Sequence, residues 1–273
     1  MAYVRTRLGR WFYEEHGVAK RPDDPAIVLC HGLLYDGSQW SNQIGPLSEL
    51  GRVIVFDGPG HGKSEVPPPF SLDDHKQAFV DALDALSIQK TILIGLSWGG
   101  MLALRVAIGH PRRVAAMALL ACSADAETRY DRAKYRVLAS FARKFGLPFA
   151  LVEREIAPLM FGKKTLRERP ELVRALANQM NGYSRDGVAR AAKAVVIKRP
   201  SILKELRAVS VPTLVLCGVD DKATDKTQSE AIASRIPQAT LTMIEDAGHM
   251  SALEEPARVN AALLPFVQAN LSA

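Results

Sequence analysis

Five residues, Gly95-Leu96-Ser97-Trp98-Gly99, fit the pattern G-x-S-x-G, and a further glycine, Gly100, follows. They lie between an apolar β-branched run, TILI, and a segment of helical composition, MLALRVAIGH. A serine on a sharp strand-to-helix turn has its hydroxyl lifted clear of the sheet. The first N–H groups of the helix, and the positive end of its dipole, point at the group under attack. Gly95 and Gly99 are expected because side chains there would collide across the turn. The chemistry predicted is nucleophilic attack on a carbonyl carbon, provided a neighbour takes the hydroxyl proton.

Histidine is the usual acceptor near neutral pH, and the chain has six: His16, His31, His61, His75, His110 and His249. His249 stands apart because Glu245-Asp246-Ala247-Gly248-His249-Met250 follows a late strand-like run. A loop there would bring the imidazole to the sheet edge that carries Ser97. His110 precedes Pro111 and reads as a helix end, His75 as part of a polar helix face, and His16 as part of an N-terminal hairpin. The acid that orients the base is expected between Ser97 and His249 in the chain order Ser, Asp, His. Asp220 and Asp221 follow the run VLCG, and Asp125 follows an earlier one. Asp221 fits best, since a G-x-x-D turn carries its carboxylate past the strand end to hold the imidazole tautomer.

Turning at once after the run AIVLC, His31-Gly32-Leu33-Leu34 can approach a substrate closely at Gly32. The N–H groups of Leu33 and Trp98 are the expected pair of donors to a developing oxyanion. His31 reads as a buried scaffold residue and Leu34 as a candidate substrate contact; the Trp98 side chain reads equally as a wall of the acyl pocket, and so a substrate contact, or as helix packing. The stretch Asp57-Gly58-Pro59-Gly60-His61-Gly62-Lys63-Ser64 ends like a phosphate-binding loop but fails on spacing, because position 57 is aspartate where that loop needs glycine. The proline-rich EVPPPF after it cannot open a helix to hold phosphate. A tight loop after a strand is expected instead.

The elements that must position these residues alternate. Runs at 26–30, 52–57, 91–96, 115–122, 213–218 and 239–245 read as strands. Amphipathic segments at about 40–49, 72–86, 98–109, 225–236 and 255–270 read as helices. This is the α/β pattern of a mostly parallel sheet with helices on both faces. The opening YVRTRLGRWFYEEHG reads as a hairpin folded on the edge. Between Ala124 and Arg207 the alternation stops and helix follows helix. A core of 1–123 and 208–273 carrying a helical cap at 124–207 is the simplest division.

The 273 residues suffice for one large core, and 48% hydrophobic with 23% charged is ordinary for a globular chain. No run approaches the length a membrane-spanning helix needs. Residues 1–20 lack the apolar stretch of a secretory signal, so a cytoplasmic protein with no membrane partner is expected. Cys30, Cys122 and Cys217 each end an apolar run, suit neither a zinc site nor a redox pair, and read as buried strand residues. The net charge of +6 is uneven: residues 125–207 hold 19 Lys or Arg against 9 Asp or Glu. No RNA-binding signature or zinc-finger spacing accompanies it, which argues against nucleic acid. A solvated helical face or a positive field that attracts an anionic substrate remains.

With these pieces placed, the sequence resembles the α/β-hydrolase superfamily, and most closely the branch of 3-oxoadipate enol-lactonases, small carboxylesterases and carbon–carbon bond hydrolases. The resemblance is carried by HGLLYDGSQW (31–40), DGPGHGKS (57–64), GLSWGG (95–100), GVDD (218–221) and DAGHMSALEEP (246–256), in the family's order across nearly the whole chain. It implies an eight-stranded, mostly parallel sheet, a helical cap over the site and no metal or organic cofactor. It also favours Asp221 over Asp220. The implied activity is cleavage of an ester or lactone of a small molecule, an anionic one if the basic segment 125–207 supplies an attracting field. Carbon–carbon cleavage of a vinylogous diketone would use the same residues. Haloalkane dehalogenases and epoxide hydrolases need aspartate at the elbow, where this chain has serine. A non-catalytic binding protein on the same fold is the alternative from another class.

Overall fold

In the computed structural model, which describes residues 2–271, eight strands form one sheet. They are β1 (Ala2–Thr6), β2 (Gly9–His16), β3 (Ala26–Cys30), β4 (Val53–Phe56), β5 (Thr91–Leu96), β6 (Val114–Leu120), β7 (Thr213–Gly218) and β8 (Ala239–Ile244). Their order is β1-β2-β4-β3-β5-β6-β7-β8. β1 and β2 form an antiparallel hairpin, β2 joins β4 antiparallel, and all pairs from β4 through to β8 are parallel. The six strand runs read from the sequence are β3 to β8, and the N-terminal hairpin is indeed the sheet edge.

β3, β4, β5, β6 and β7 are buried along their whole length. Parallel strands covered on both faces need continuous rather than alternating apolar sequence, which is why these runs were easy to see. The helices of the core are α1 (Ser41–Leu50), α2 (Leu72–Ala85) and α3 (Trp98–Gly109), then α10 (Lys226–Ala233), α11 (Ser251–Glu254) and α12 (Pro256–Asn270). α2, α3 and α10 contribute to one apolar cluster, α1, α11 and α12 to the other. All parallel strands end at the same sheet edge, where Ser97, Asp221 and His249 follow β5, β7 and β8. His110 ends α3, and Pro111 opens a short turn into β6.

Between β6 and β7 lies the helical insertion. It comprises α4 (Arg129–Phe145), α5 (Phe149–Leu151), α6 (Ala157–Met160), α7 (Lys163–Glu168), α8 (Pro170–Gly182) and α9 (Arg185–Ala192). Wider π-type turns connect α5 to α6 (Val152–Ile156) and extend α9 (Lys193–Ile197). Arg199, 2% exposed, ties the entry and exit of this insertion together. Its guanidinium donates to the Asp125 and Val195 carbonyls and pairs with Glu127 at 2.7 Å. Beside it, the Ile202 N–H donates to the Ala124 carbonyl. No helix among the described residues is long and apolar enough to cross a membrane.

Candidate active site

Ser97 occupies the turn between β5 and α3 with φ +51° and ψ −107°. A non-glycine residue there is strained, and the surroundings must over-determine it. They do so by close approach. A Cβ on Gly95 would lie 2.3 Å from the Gly99 carbonyl carbon, and one on Gly99 would lie 2.0 Å from the Cys30 carbonyl oxygen. The Ser97 N–H donates to the Leu120 carbonyl at 2.8 Å, which pins the turn to the end of β6.

On the far side of β6, Asp221 and His249 meet. His249 Nδ1 lies 3.1 and 3.0 Å from the two carboxylate oxygens of Asp221. Both residues are buried. The carboxylate also accepts from the Ala223 and Thr224 N–H groups and from the Thr224 hydroxyl, all within about 3 Å. An ionised carboxylate only accepts, so the Nδ1 atom carries the proton of this contact and Nε2 is left pointing away from Asp221. Asp220 faces elsewhere: its carboxylate accepts from Lys163 N–H in the insertion. Asp125 is exposed and caps its own neighbour, Ala126. Of the three acids weighed in the sequence, only Asp221 touches the imidazole. Among the described hydrogen bonds none joins the Ser97 hydroxyl to His249. A serine–histidine contact that is loose without substrate is common in hydrolytic sites.

The loop that carries His249 folds back from β8 over β7. Asp220 N–H donates to the Ala247 carbonyl, and a Cβ on Gly218 would lie 2.2 Å from the Gly248 carbonyl oxygen. Glu254, which the sequence reading passed over, grips this loop. Its buried carboxylate accepts from the N–H groups of Gly248 at 2.9 Å and Met250 at 3.2 Å, on either side of His249. The other oxygen accepts from Gly162 N–H of the insertion at 2.7 Å. Burial pushes the Glu254 pKa above its ordinary value, against these hydrogen bonds.

The amides of Leu33 and Trp98 have no acceptor among the described hydrogen bonds. His31 fixes the first of these loops. Gly58 N–H donates to its Nε2 at 2.7 Å, so Nδ1 bears the proton and donates to the Gly32 carbonyl at 2.7 Å. Leu34 follows with φ +72°, a second strained residue at the same edge. The scaffold reading of His31 holds. That of Trp98 as a pocket wall does not: its indole is 1% exposed and packs under the site against His31, His61 and His75. His75 is likewise buried, not on a polar face. Leu72, His75, Phe79 and Leu83 share the inward stripe of α2, a spacing that could have revealed it.

Above Leu33 and Leu34 the insertion encloses a cavity of about 200 Å³. Its walls are aliphatic, with Leu138, Leu147, Ile156, Leu159 and Val188 among them, and it reaches Ala223 in the turn that holds Asp221. Arg143 and Arg185, both exposed, are its cations. Most of the insertion's positive charge lies elsewhere. Arg136, Arg190, Lys193 and Lys198 line an adjoining groove of about 860 Å³ against residues 69–71 and 74, which shares Arg143 with the cavity. The DGPGHGKS stretch is a tight loop after β4. Asp57 accepts from Gly37 N–H and Lys63 N–H at 2.8 Å each, and Ser64 donates back to the Asp57 carbonyl. All three cysteines are free and buried. Among the described residues no His, Cys, Asp and Glu cluster could hold a metal ion.

Residues 25–256 match the family model for the alpha/beta hydrolase fold, and the chain belongs to that family. It is 27% identical over 243 residues, 88% of each chain, to 3-oxoadipate enol-lactonase 2 of Acinetobacter baylyi. Among solved structures it is similar to a thermophilic esterase from Thermogutta terrifontis, with TM-score 0.90 and 28% identity over 99% of this chain and 100% of that one. The enol-lactonase of Burkholderia xenovorans follows with TM-score 0.88 and 25% identity, over 97% and 99% of the two chains.

Proposed function

We propose that this protein hydrolyses an ester or lactone through an acyl-enzyme on Ser97. The observation that carries the reading is the buried Asp221–His249 pair at the same sheet edge as a strained serine. With Nδ1 engaged by Asp221, Nε2 is the nitrogen that in the neutral imidazole accepts a proton. In the cycle, Ser97 Oγ attacks the carbonyl carbon as its proton passes to His249. The carbonyl π-bond opens onto oxygen, and the Leu33 and Trp98 N–H groups hold the resulting anion. Each such donor contributes roughly 3 kcal/mol to the transition state. Collapse expels the alkoxide, which takes the proton from His249. Water, deprotonated by the same imidazole, then attacks the acyl-enzyme and releases the acid and free Ser97. Asp221 keeps the tautomer and stabilises the imidazolium throughout.

The insertion, 124–207, acts in this reading as a lid whose cavity receives the substrate's chain. Its aliphatic walls favour an uncharged chain. A carboxylate, if the substrate carries one, belongs at Arg143 and Arg185 rather than deep in the pocket. The names of the similar proteins, an esterase and two enol-lactonases, support ester and lactone chemistry. A series of p-nitrophenyl esters tests the reading. kcat/KM is expected to rise from acetate to acyl chains of about four to eight carbons as apolar surface leaves water. Ser97→Ala should lower kcat about a thousandfold or more across the series. A variant that keeps its turnover would defeat the assignment, and a flat chain-length profile would defeat the role given to the cavity.

A further inference from the structure

α4 has an outer face with no partner in the fold. Tyr130, Val137, Phe141 and Phe145, at intervals of seven and four residues, lie on one side of it. They are between 43% and 78% exposed, and Phe149, just beyond the helix, is 45% exposed. The Phe141 and Phe145 rings are 5.1 Å apart, and the Lys144 ammonium lies 5.1 Å over Phe145. A run of exposed aromatic residues of this extent marks a contact surface. The same helix carries Arg129, Arg132, Lys134, Arg136, Arg143 and Lys144 against one acid, Asp131, which Thr128 already caps. Of these, Arg136 and Arg143 line the groove and the cavity, with Arg143 paired to Asp186, while Arg129, Lys134 and Lys144 stand exposed to meet headgroups.

We propose that this face docks on an anionic lipid surface, with the aromatic stripe among the acyl chains and the cations against the headgroups. A basic amphipathic helix with aromatic residues on its apolar side has the composition for lying in a bilayer interface. Charge decides between occupants. A second copy seated on the same face would bring two strongly basic helices together, whereas anionic headgroups neutralise them. The opposite side of α4 points the same way: Tyr135, Leu138, Ala139 and Ala142 line the apolar cavity, so one helix separates the lipid contact from the space for an apolar chain. The expectation that no membrane takes part is revised here for the surface. Binding is measured without turnover, so this proposal and the hydrolase reading fail separately.

The full chain should be sedimented with vesicles of phosphatidylcholine alone, and with about a third of phosphatidylglycerol added. It is expected to partition onto the anionic vesicles only, and to leave them at about 0.5 M salt as the charges are screened. Phe141→Ser with Phe145→Ser should weaken partitioning about tenfold or more, since the apolar contact is lost. Hydrolysis of a small soluble ester should not change, because neither ring lines the cavity. Failure to bind anionic vesicles, or equal binding by the double variant, overturns the proposal. So does a chain that elutes as a dimer and is made monomeric by the two substitutions.

Discussion

Glu254 illustrates how one side chain can control another at a distance. It never faces the reacting atoms, yet it accepts the N–H groups before and after His249 and one from the insertion. Removing it would strand three buried donors, and each unpaired group costs about 1–3 kcal/mol. Glu254→Ala is therefore expected to lower kcat by about ten- to a hundredfold with little change in KM, because the base is displaced while the chain pocket is kept. Glu254→Gln should recover part of the loss through its remaining amide oxygen. A rise in KM together with the fall in kcat, with no recovery in glutamine, would assign Glu254 a general structural role. The candidate site residues that were legible in the sequence, Ser97, Asp221 and His249, announced themselves through local turn chemistry at strand ends. Glu254 did not, because Glu254-Glu255-Pro256 reads as a solvated helix start. Only the tertiary fold turns its carboxylate back onto a loop five residues upstream. Trp98 misled for a related reason: its amide belongs to the elbow, but α3 turns its indole into the core.

At the scale of elements, the seat of the insertion on the core depends on backbone contact. Gly187 in α9 meets Gly60 of the loop after β4, where a Cβ on Gly187 would lie 2.6 Å from the Gly60 carbonyl oxygen. Nearby, Tyr183 donates from its hydroxyl to Asp36 at 2.8 Å, and the Arg190 guanidinium donates to the Pro67 carbonyl. A branched side chain cannot be housed in so close a contact without moving α9. Gly187→Val should lower kcat/KM for the longer p-nitrophenyl esters about tenfold, as a misplaced wall costs positioning, and leave the acetate ester nearly unaffected. Equal losses on both esters would mean that α9 does not shape the chain pocket. The parallel strands were readable because burial on both faces makes them uninterrupted apolar runs. The insertion was readable only as a succession of helices. α7, six residues long, and the two π-type stretches leave no periodic signature, and the cavity arises from helices far apart in sequence.

For the whole molecule, three histidines buried beside Trp98 set the response to acid. Desolvation holds His61 and His75 near pKa 3 and lowers His31 as well, from an ordinary value of 6.5. A base whose pKa is lower folded than unfolded binds fewer protons in the native state. Stability then rises with pH across the interval between the two values. The contribution is complete above about pH 6.5 and is lost progressively as pH falls towards 3. The melting temperature should therefore drop steeply below pH 6.5, and His75→Phe, which fills the same aromatic cluster without a titrating ring, should flatten the slope. A His75→Phe profile parallel to the parent would remove His75 from that account. The uneven positive charge was visible from composition. Its division between a groove, an exposed helix face and only two arginines at the cavity was not, since it depends on which side of each helix faces inward.

All of this rests on Ser97 being an activated nucleophile, and a fluorophosphonate probe measures that directly. The intact protein should form one covalent adduct, mapped by mass spectrometry to the peptide containing Ser97. Ser97→Ala should abolish it, and His249→Ala should slow it about a thousandfold or more, as loss of the general base requires. An unlabelled protein, or a stable adduct at another residue with Ser97 unmodified, would contradict the account.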